Sequence, residues 1–300
     1  MEVDLNKEFE ACSILLVGAG GQVGISLQQQ MPKNVNLLSL DRHKLDITDS
    51  KAVSAAISHF QPDWIINAAA YTAVDTAESE PEIAFAINRD GAANLARAAE
   101  AVNACMIQIS TDYVFDGTQT RPYRPDDPVN PINVYGESKL AGEEATKKIM
   151  GHDLLILRTA WVYAPHGKNF LTTMLRLMKE RNELRIVEDQ IGTPTSASTL
   201  ANVILRGIAN NVTGTHHWTD AGIASWYDFA CAIQEFAQDA ELFLGECHLS
   251  PIHTSEYPTP AKRPMYSVLD KSAFRQAINM EGLQWRKALQ VAISRLTGLR

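Results

Sequence analysis

Tyr135 and Lys139 stand four residues apart in the stretch NVYGESK (133–139). On a helix that spacing puts both side chains on one face. A phenol ordinarily titrates near 10, so at neutral pH it is an uncharged proton donor, and an ammonium nearby favours the phenolate left behind. Taken alone, such a pair is more often an exposed helix face than a chemical device. Its upstream neighbours change the reading. The apolar run CMIQIS (105–110) passes directly into STDYVF, delivering Ser110, Thr111 and Asp112 at what reads as the carboxyl end of a strand. Tyr135 follows Thr111 by 24 residues, across a loop holding Pro122, Pro125, Pro128 and Pro131. A threonine hydroxyl there can orient a carbonyl towards the phenol; with a hydride from a nicotinamide, the carbonyl becomes an alcohol. Ser138 reads as a neighbour only, because Thr111 supplies the hydroxyl.

A nicotinamide needs a binding loop, and VGAGGQVG (17–24) supplies a candidate. A GxGxxG frame starting at Gly18 fails at Val23, whereas GxxGxxG fits Gly18, Gly21 and Gly24, with Gln22 and Val23 between. Glycines suit a sharp turn, a close backbone approach to pyrophosphate and a tight helix–strand contact, with the phosphates on the helix amides. Asp41, 17 residues beyond Gly24, ends the next strand-like run, where a carboxylate accepts from a ribose diol and favours NAD. Arg42 and His43 follow at once and suit the 2′-phosphate of NADP, so NADPH and NADH both stay open. Asp46 and Ile47 in LDIT are expected at the adenine edge. Ala69, Ala70 and Thr72 in NAAAYT leave room for a cofactor, although close core packing explains alanines nearly as well.

These motifs need a frame. The runs SILLV (13–17), VNLLSL (35–40), DWIINA (63–68), CMIQIS and DLLILR (153–158) alternate with amphipathic stretches, such as 81–101. Strands apolar throughout and separated by helices predict an α/β fold: a doubly wound parallel sheet, Rossmann-like, with ligands at the carboxyl ends of its strands. We expect a dinucleotide-binding domain over residues 12–160 and a smaller substrate lobe over 161–300, some of whose elements return to the main sheet. Helical patterns near 169–181, 197–209 and 226–238 and strands at 183–187 and 214–218 belong to this second half.

Composition bounds the rest. The chain has 300 residues, 45% hydrophobic and 21% charged, with a net charge of −8, which disfavours nucleic acid and anionic membranes as partners. Cys12, Cys105, Cys231 and Cys247 form no CxxC pair and read as thiols of a cytoplasmic protein. The polar start MEVDLNKEFEA is unlike a signal peptide, and no apolar run is long enough to span a bilayer. His216–His217 lacks a third ligand at metal spacing and reads as structural.

With GxxGxxG, NAAA, STD and YxxxK in order, the chain resembles the extended short-chain dehydrogenase/reductase family. The stretches NAAAYTAVDTAESEPEIAFAIN, STDYVFDG, NVYGESKLAGE, RTAWVYAPHGKNF, DQIGTPT and YPTPAKRP narrow the likeness to the dTDP-4-dehydrorhamnose reductases. The resemblance implies reduction of a dTDP-4-keto-6-deoxysugar by NADPH or NADH, in the last step of dTDP-L-rhamnose synthesis. It makes Tyr135 the proton donor, Lys139 its support and a holder of the nicotinamide ribose, and Thr111 the group that tunes Tyr135. Thr111, Asp112, Tyr113 and Trp161 would meet the sugar, and Asn169, Gln190 and Arg263 the nucleotide-diphosphate end. The last three serve equally well as loop-capping or solvated polar residues. Some relatives hold a divalent metal at a dimer contact; here Ile25 and Ser26 follow Gly24, with no carboxylate, so no metal is expected and a homodimer stays open. A dehydratase or 4-epimerase on the same fold is the nearest alternative. The Asp-Glu pair usual in a dehydratase is broken, since Tyr113 follows Asp112. A non-catalytic, NADP-binding regulatory subunit is the alternative from another class, disfavoured by retention of Thr111, Tyr135, Lys139 and Trp161.

Overall fold

The computed structural model describes Phe9, residues 12–242 and residues 245–298. Its main sheet has six strands: β1 (Ser13–Val17), β2 (Asn36–Leu40), β3 (Trp64–Asn67), β4 (Cys105–Thr111), β5 (Leu154–Thr159) and β6 (Gly214–His217). Their order is β6-β5-β4-β3-β1-β2, and every pairing is parallel. The expected doubly wound sheet is therefore present. After β2 the chain crosses to the other side of β1, so the switch point lies between β1 and β3, where Val17 pairs with Asn67. A crevice must open there, because the connections leave the two strand ends in opposite directions.

Both faces of the sheet are covered, which is why its strands lack polar alternation. On one face, Leu16, Ile66, Ile107 and Leu157 pack against Leu27 of α1 (Gln22–Gln30) and against a helix from the second half of the chain. On the other, Leu15, Ile65, Met106 and Ile156 meet Val53 and Ile57 of α2 (Ser50–Phe60) and Leu95 and Ala99 of α3 (Ala92–Ala101). The stretch 81–101, whose period predicts one helix, is a helical turn Pro81–Phe85, a π-helical segment Ala86–Gly91 and then α3. The π segment presents Asn88 to α4 (Val134–Met150), whose Ser138 hydroxyl accepts from Asn88 Nδ2 at 2.9 Å and donates to the Tyr135 carbonyl at 2.8 Å. Ser138 is thus a buried anchor of the helix. Asn88 also clasps Tyr71 at both its amide and its carbonyl, tying the loop after β3 to α4.

The second half contributes α5 (Phe170–Glu180), α6 (Ala197–Ala209), α7 (Trp226–Asp239) and α8 (Trp285–Thr297). Leu200 and Ile204 of α6 belong to the core of the main sheet, and β6 is its edge strand. A separate apolar cluster joins Leu171 and Met174 of α5, Phe229 and Ile233 of α7, and Trp285 and Leu289 of α8. Short strand pairs, such as Glu183–Val187 with His248–Ile252, flank it. Among the described residues no helix is long and apolar enough to cross a membrane.

Candidate active site

The glycine loop turns on Gly18, whose φ is +78° and whose amide donates to the Leu40 carbonyl at 3.0 Å. A Cβ on Gly18 would lie 2.5 Å from the Ala68 carbonyl carbon, and one on Gly24 would lie 2.3 Å from the Gly18 oxygen. Neither position admits a side chain, because backbone is what it would strike. A Cβ on Gly20 would meet only Asp41 Cβ, at 3.6 Å. Sterics therefore select the GxxGxxG frame. Gly21 caps α1 in an extended conformation, so the free amides of the first helical turn open at the crevice.

At that crevice lies a cavity of about 410 Å³. Its walls are residues 21–23 of the glycine loop, 67–70 and Thr72 after β3, 109–112 at the end of β4, Tyr135 and Lys139 on α4, and 159–162 after β5. It thus gathers Gly21, Gln22, Val23, Ala69, Ala70, Thr72, Thr111, Asp112, Tyr135, Lys139 and Trp161 from among the residues that the sequence singles out. The hydroxyls of Ser110 and Thr159 on these walls are buried with no hydrogen-bond partner among the described residues. Unbonded buried hydroxyls and a glycine turn closed to side chains at Gly18 and Gly24 suit a polar, flat-ringed dinucleotide.

Tyr135 enters α4 just after its cap, Asn133, whose side chain accepts from the Gly136 amide at 2.8 Å and donates to the Lys262 carbonyl at 2.7 Å. Burial pushes the phenol up to about 12, with the Thr111 hydroxyl pulling it back and the Asp112 charge adding to the rise. The phenol therefore holds its proton firmly at neutral pH. The Thr111 hydroxyl donates to Asp112 Oδ1 at 3.0 Å and accepts from the Tyr113 amide at 3.2 Å, so a phenolate at Tyr135 would compete with Asp112 for its single proton. Lys139 Nζ donates to the Ile109 carbonyl at 2.6 Å. That bond uses one of its three N–H donors, and the shift of Tyr135 follows from burial, Thr111 and Asp112 rather than from the lysine. Burial draws Lys139 down to about 8, and Glu143 holds it up. Asp112, also buried, is pushed up to about 6, against the pull of the Ser267 and Thr111 hydroxyls. The Tyr113 ring meets Tyr135 edge-on, with centroids 5.7 Å apart.

Other singled-out residues lie around this cavity. Asp41 Oδ1 accepts the amides of His43 and Lys44 at 3.0 and 3.1 Å, a turn that fixes the end of β2. Asp46 borders a second hollow of about 420 Å³ beside Thr48 and Glu82, while Ile47 is buried against Gly91. Asn169 caps α5: its Oδ1 accepts from the Thr172 amide, and its Nδ2 reaches Gln22 Oε1 at 2.8 Å and the carbonyls of Ala164 and His166. Its amide is fully engaged, so it joins the glycine loop to the second half rather than facing the cavity. Gln190 is buried between Thr254 and Trp226. Arg263 forms a two-point ion pair with Asp75 at 2.8 and 3.0 Å. None of these three lines the cavity.

Residues 12–297 match the family described as RmlD substrate binding domain. The chain is 42% identical to the dTDP-4-dehydrorhamnose reductase of Escherichia coli (strain K12), over 95% of this chain and 96% of that one. The chain belongs to the dTDP-4-dehydrorhamnose reductase family. A reductase of that name from Clostridium acetobutylicum superimposes with a TM-score of 0.90 at 42% identity, covering 95% of this chain and 99% of that one. The Bacillus anthracis dTDP-4-dehydrorhamnose reductase, solved in complex with NADP, gives 0.90 at 36%, covering 95% and 100%.

Within this reductase frame, sequence reasoning passes over a buried ionic network. Glu143, one helical turn beyond Lys139, takes Arg158 Nη2 at 2.7 Å and Nε at 3.0 Å. Arg158 sits on β5 opposite Ser110 of β4, and also donates to the Pro125 carbonyl at 3.2 Å. His217 stands at 3.5 Å from it, held neutral: burial and the guanidinium together draw its pKa down to about 3. His216 and His217 both lie on β6, and among the described residues no group of three or more His, Cys, Asp or Glu could hold a metal ion. The i, i+4 spacing of Lys139 and Glu143 is legible in YGESKLAGE; the arginine opposite is not.

Proposed function

We infer that this protein reduces the 4-keto group of dTDP-4-dehydro-L-rhamnose to give dTDP-L-rhamnose, using NADPH or NADH. The observation that carries the reading is the meeting of Thr111, Tyr135 and Lys139 in the cavity at the switch point, beside a glycine loop shaped for a dinucleotide. When bound, the nicotinamide supplies the hydride. Tyr135, protonated at neutral pH, gives its proton to the forming alkoxide. Thr111 orients the keto oxygen and then donates to the phenolate. Lys139 contributes a positive charge and, by its position next to the strand-end carbonyl, a donor for the nicotinamide ribose. Residues 21–23 offer helix amides to the pyrophosphate, with Asp41 at the adenosine ribose. Asp112, Tyr113 and Trp161 form the sugar side, where an indole suits the C–H surface of a deoxyhexose.

Simple reduction is favoured over dehydration, because Tyr113 occupies the place where a dehydratase needs its second carboxylate. A cytoplasmic setting is part of this proposal, supported by the four free cysteines. The test is stoichiometric oxidation of NADPH or NADH by the purified protein with the dTDP-4-keto-6-deoxysugar. Tyr135→Phe should lower kcat by roughly 10²- to 10⁴-fold, as loss of a general acid does, while NADPH binds as before. Absence of oxidation with either cofactor, despite binding, would sink the proposal.

A further inference from the structure

Trp161 has a φ of +47°, a left-handed backbone that bulky residues seldom adopt and that surrounding structure must enforce. Three contacts enforce it. The Trp161 carbonyl accepts from the Thr195 amide at 3.1 Å. Its indole lies flat on that of Trp226, with centroids 3.6 Å apart and planes 7° from parallel. Its ring edge fits a slot at Gly192, where a Cβ would come 2.6 Å from Trp161 Cε2. A face-to-face sandwich this square is less favourable than an offset stack, so neighbours hold it in place. Trp226 does not line the cavity; it opens α7 behind Trp161. Trp226 Nε1 donates to Gln190 Oε1 at 3.2 Å, and Gln190 Nε2 donates to Thr254 Oγ1 at 3.1 Å. The Thr254 hydroxyl in turn donates to Asp189 Oδ1 at 2.6 Å, and Phe170 packs on Trp226 with centroids 4.7 Å apart.

We propose that Trp226 is a positioning residue for the hexose, backing the Trp161 indole so that the sugar packs on a fixed wall, and that Gln190 acts through Trp226 by holding its indole N–H. The inference rests on the reductase reading above. It also gives Gln190 a task without contact to the nucleotide. A wall that tilts would carry the keto carbon away from Tyr135, and a displacement of about 1 Å can cost catalysis heavily.

The test compares wild type, Trp226→Leu, Trp226→Phe and Gln190→Leu. It measures kcat and KM with the dTDP-4-keto-6-deoxysugar, and affinities for NADPH and for dTDP, which lacks the hexose. Trp226→Leu should lower kcat/KM for the sugar nucleotide by about 2- to 12-fold, the range that a stacked aromatic pair carries. NADPH and dTDP should bind it as they bind wild type. Gln190→Leu and Trp226→Phe should show the same pattern, more weakly. An unchanged kcat/KM in Trp226→Leu, or a parallel loss of dTDP and NADPH affinity, overturns the proposal. If the leucine variant does not fold, Trp226→Phe decides, and wild-type kinetics there overturn it. Failure of wild type to turn over this substrate would instead remove the reductase reading.

Discussion

Replacing Glu143 by Gln keeps the shape of the side chain and deletes its charge, one helical turn from Lys139. Residues at i and i+4 stand roughly 6 Å apart. At an effective dielectric constant of about 20, that charge is worth ~3 kcal/mol to the ammonium, or about 2 pKa units. Arg158 stays in place, and its charge, no longer balanced by the carboxylate, does not restore what is lost, so a lowering of at least about one unit is expected. The sign is fixed by Lys139 itself. Its pKa of about 8 lies below the ordinary 10.5, and the ammonium is present below about 8 and lost above. Losing Glu143 lowers that value further, so the alkaline limb of activity moves to lower pH. With a shift from about 8 to about 7, activity should fall about 2-fold at pH 7 and about 5-fold at pH 8. The assay is kcat/KM against pH, with NADPH saturating. An unpaired Arg158 destabilises the fold by roughly 3–5 kcal/mol, so Glu143→Gln/Arg158→Met, which removes the orphaned charge, is measured alongside. An alkaline limb that stays in place in both variants would refute the coupling of Glu143 to Lys139.

Two further outcomes follow from packing and burial. Gly24→Ala should weaken NADPH binding at least ~10-fold and destabilise the fold by about 1–3 kcal/mol, since its methyl meets backbone, whereas Gly20→Ala should leave both nearly unchanged; calorimetry and thermal melts that rank them the other way would contradict the GxxGxxG frame. Asp220, buried against the Ser196 amide and the Thr199 hydroxyl, is pushed by burial up to about 7 from 3.8. Folding therefore takes up a proton between about pH 4 and 7, and this group's contribution to stability falls as pH rises, by up to ~1.4 kcal/mol per unit. Denaturant titrations at three pH values in that window should show wild type losing stability relative to Asp220→Asn as pH rises; a constant difference would count against the assignment.

Short-range rules made much of the site legible. Gly24 is closed to a side chain by Gly18 and Ala19, a few residues before it, so the frame of the loop is readable from its spacing. The helix that carries Tyr135 and Lys139 begins beside a capping asparagine, which again is local chemistry. The capping sequence of α5, Asn169 with Thr172, is equally visible, beside the substrate role that the family stretch RTAWVYAPHGKNF implies for Asn169. Other features had no local sign. The amphipathic period over 81–101 is satisfied by a plain helix, and the π segment that aims Asn88 at Ser138 arises from packing against α4. Trp226 reads as one more apolar residue of α7 until its ring is seen on Trp161.

The sequence by itself determined the parallel sheet, the order of the motifs along it and the residue types able to move a proton, because these follow from apolar periodicity, turn sterics and functional-group chemistry. Tertiary structure alone decided the electrostatics. Lys139 donates to a strand carbonyl, Glu143 faces an arginine from β5, Asp112 is stripped of water and Trp161 is pinned by Trp226. Each depends on a partner far away in the chain, and the strength of a charge or a stack is set by the burial that only the assembled fold creates.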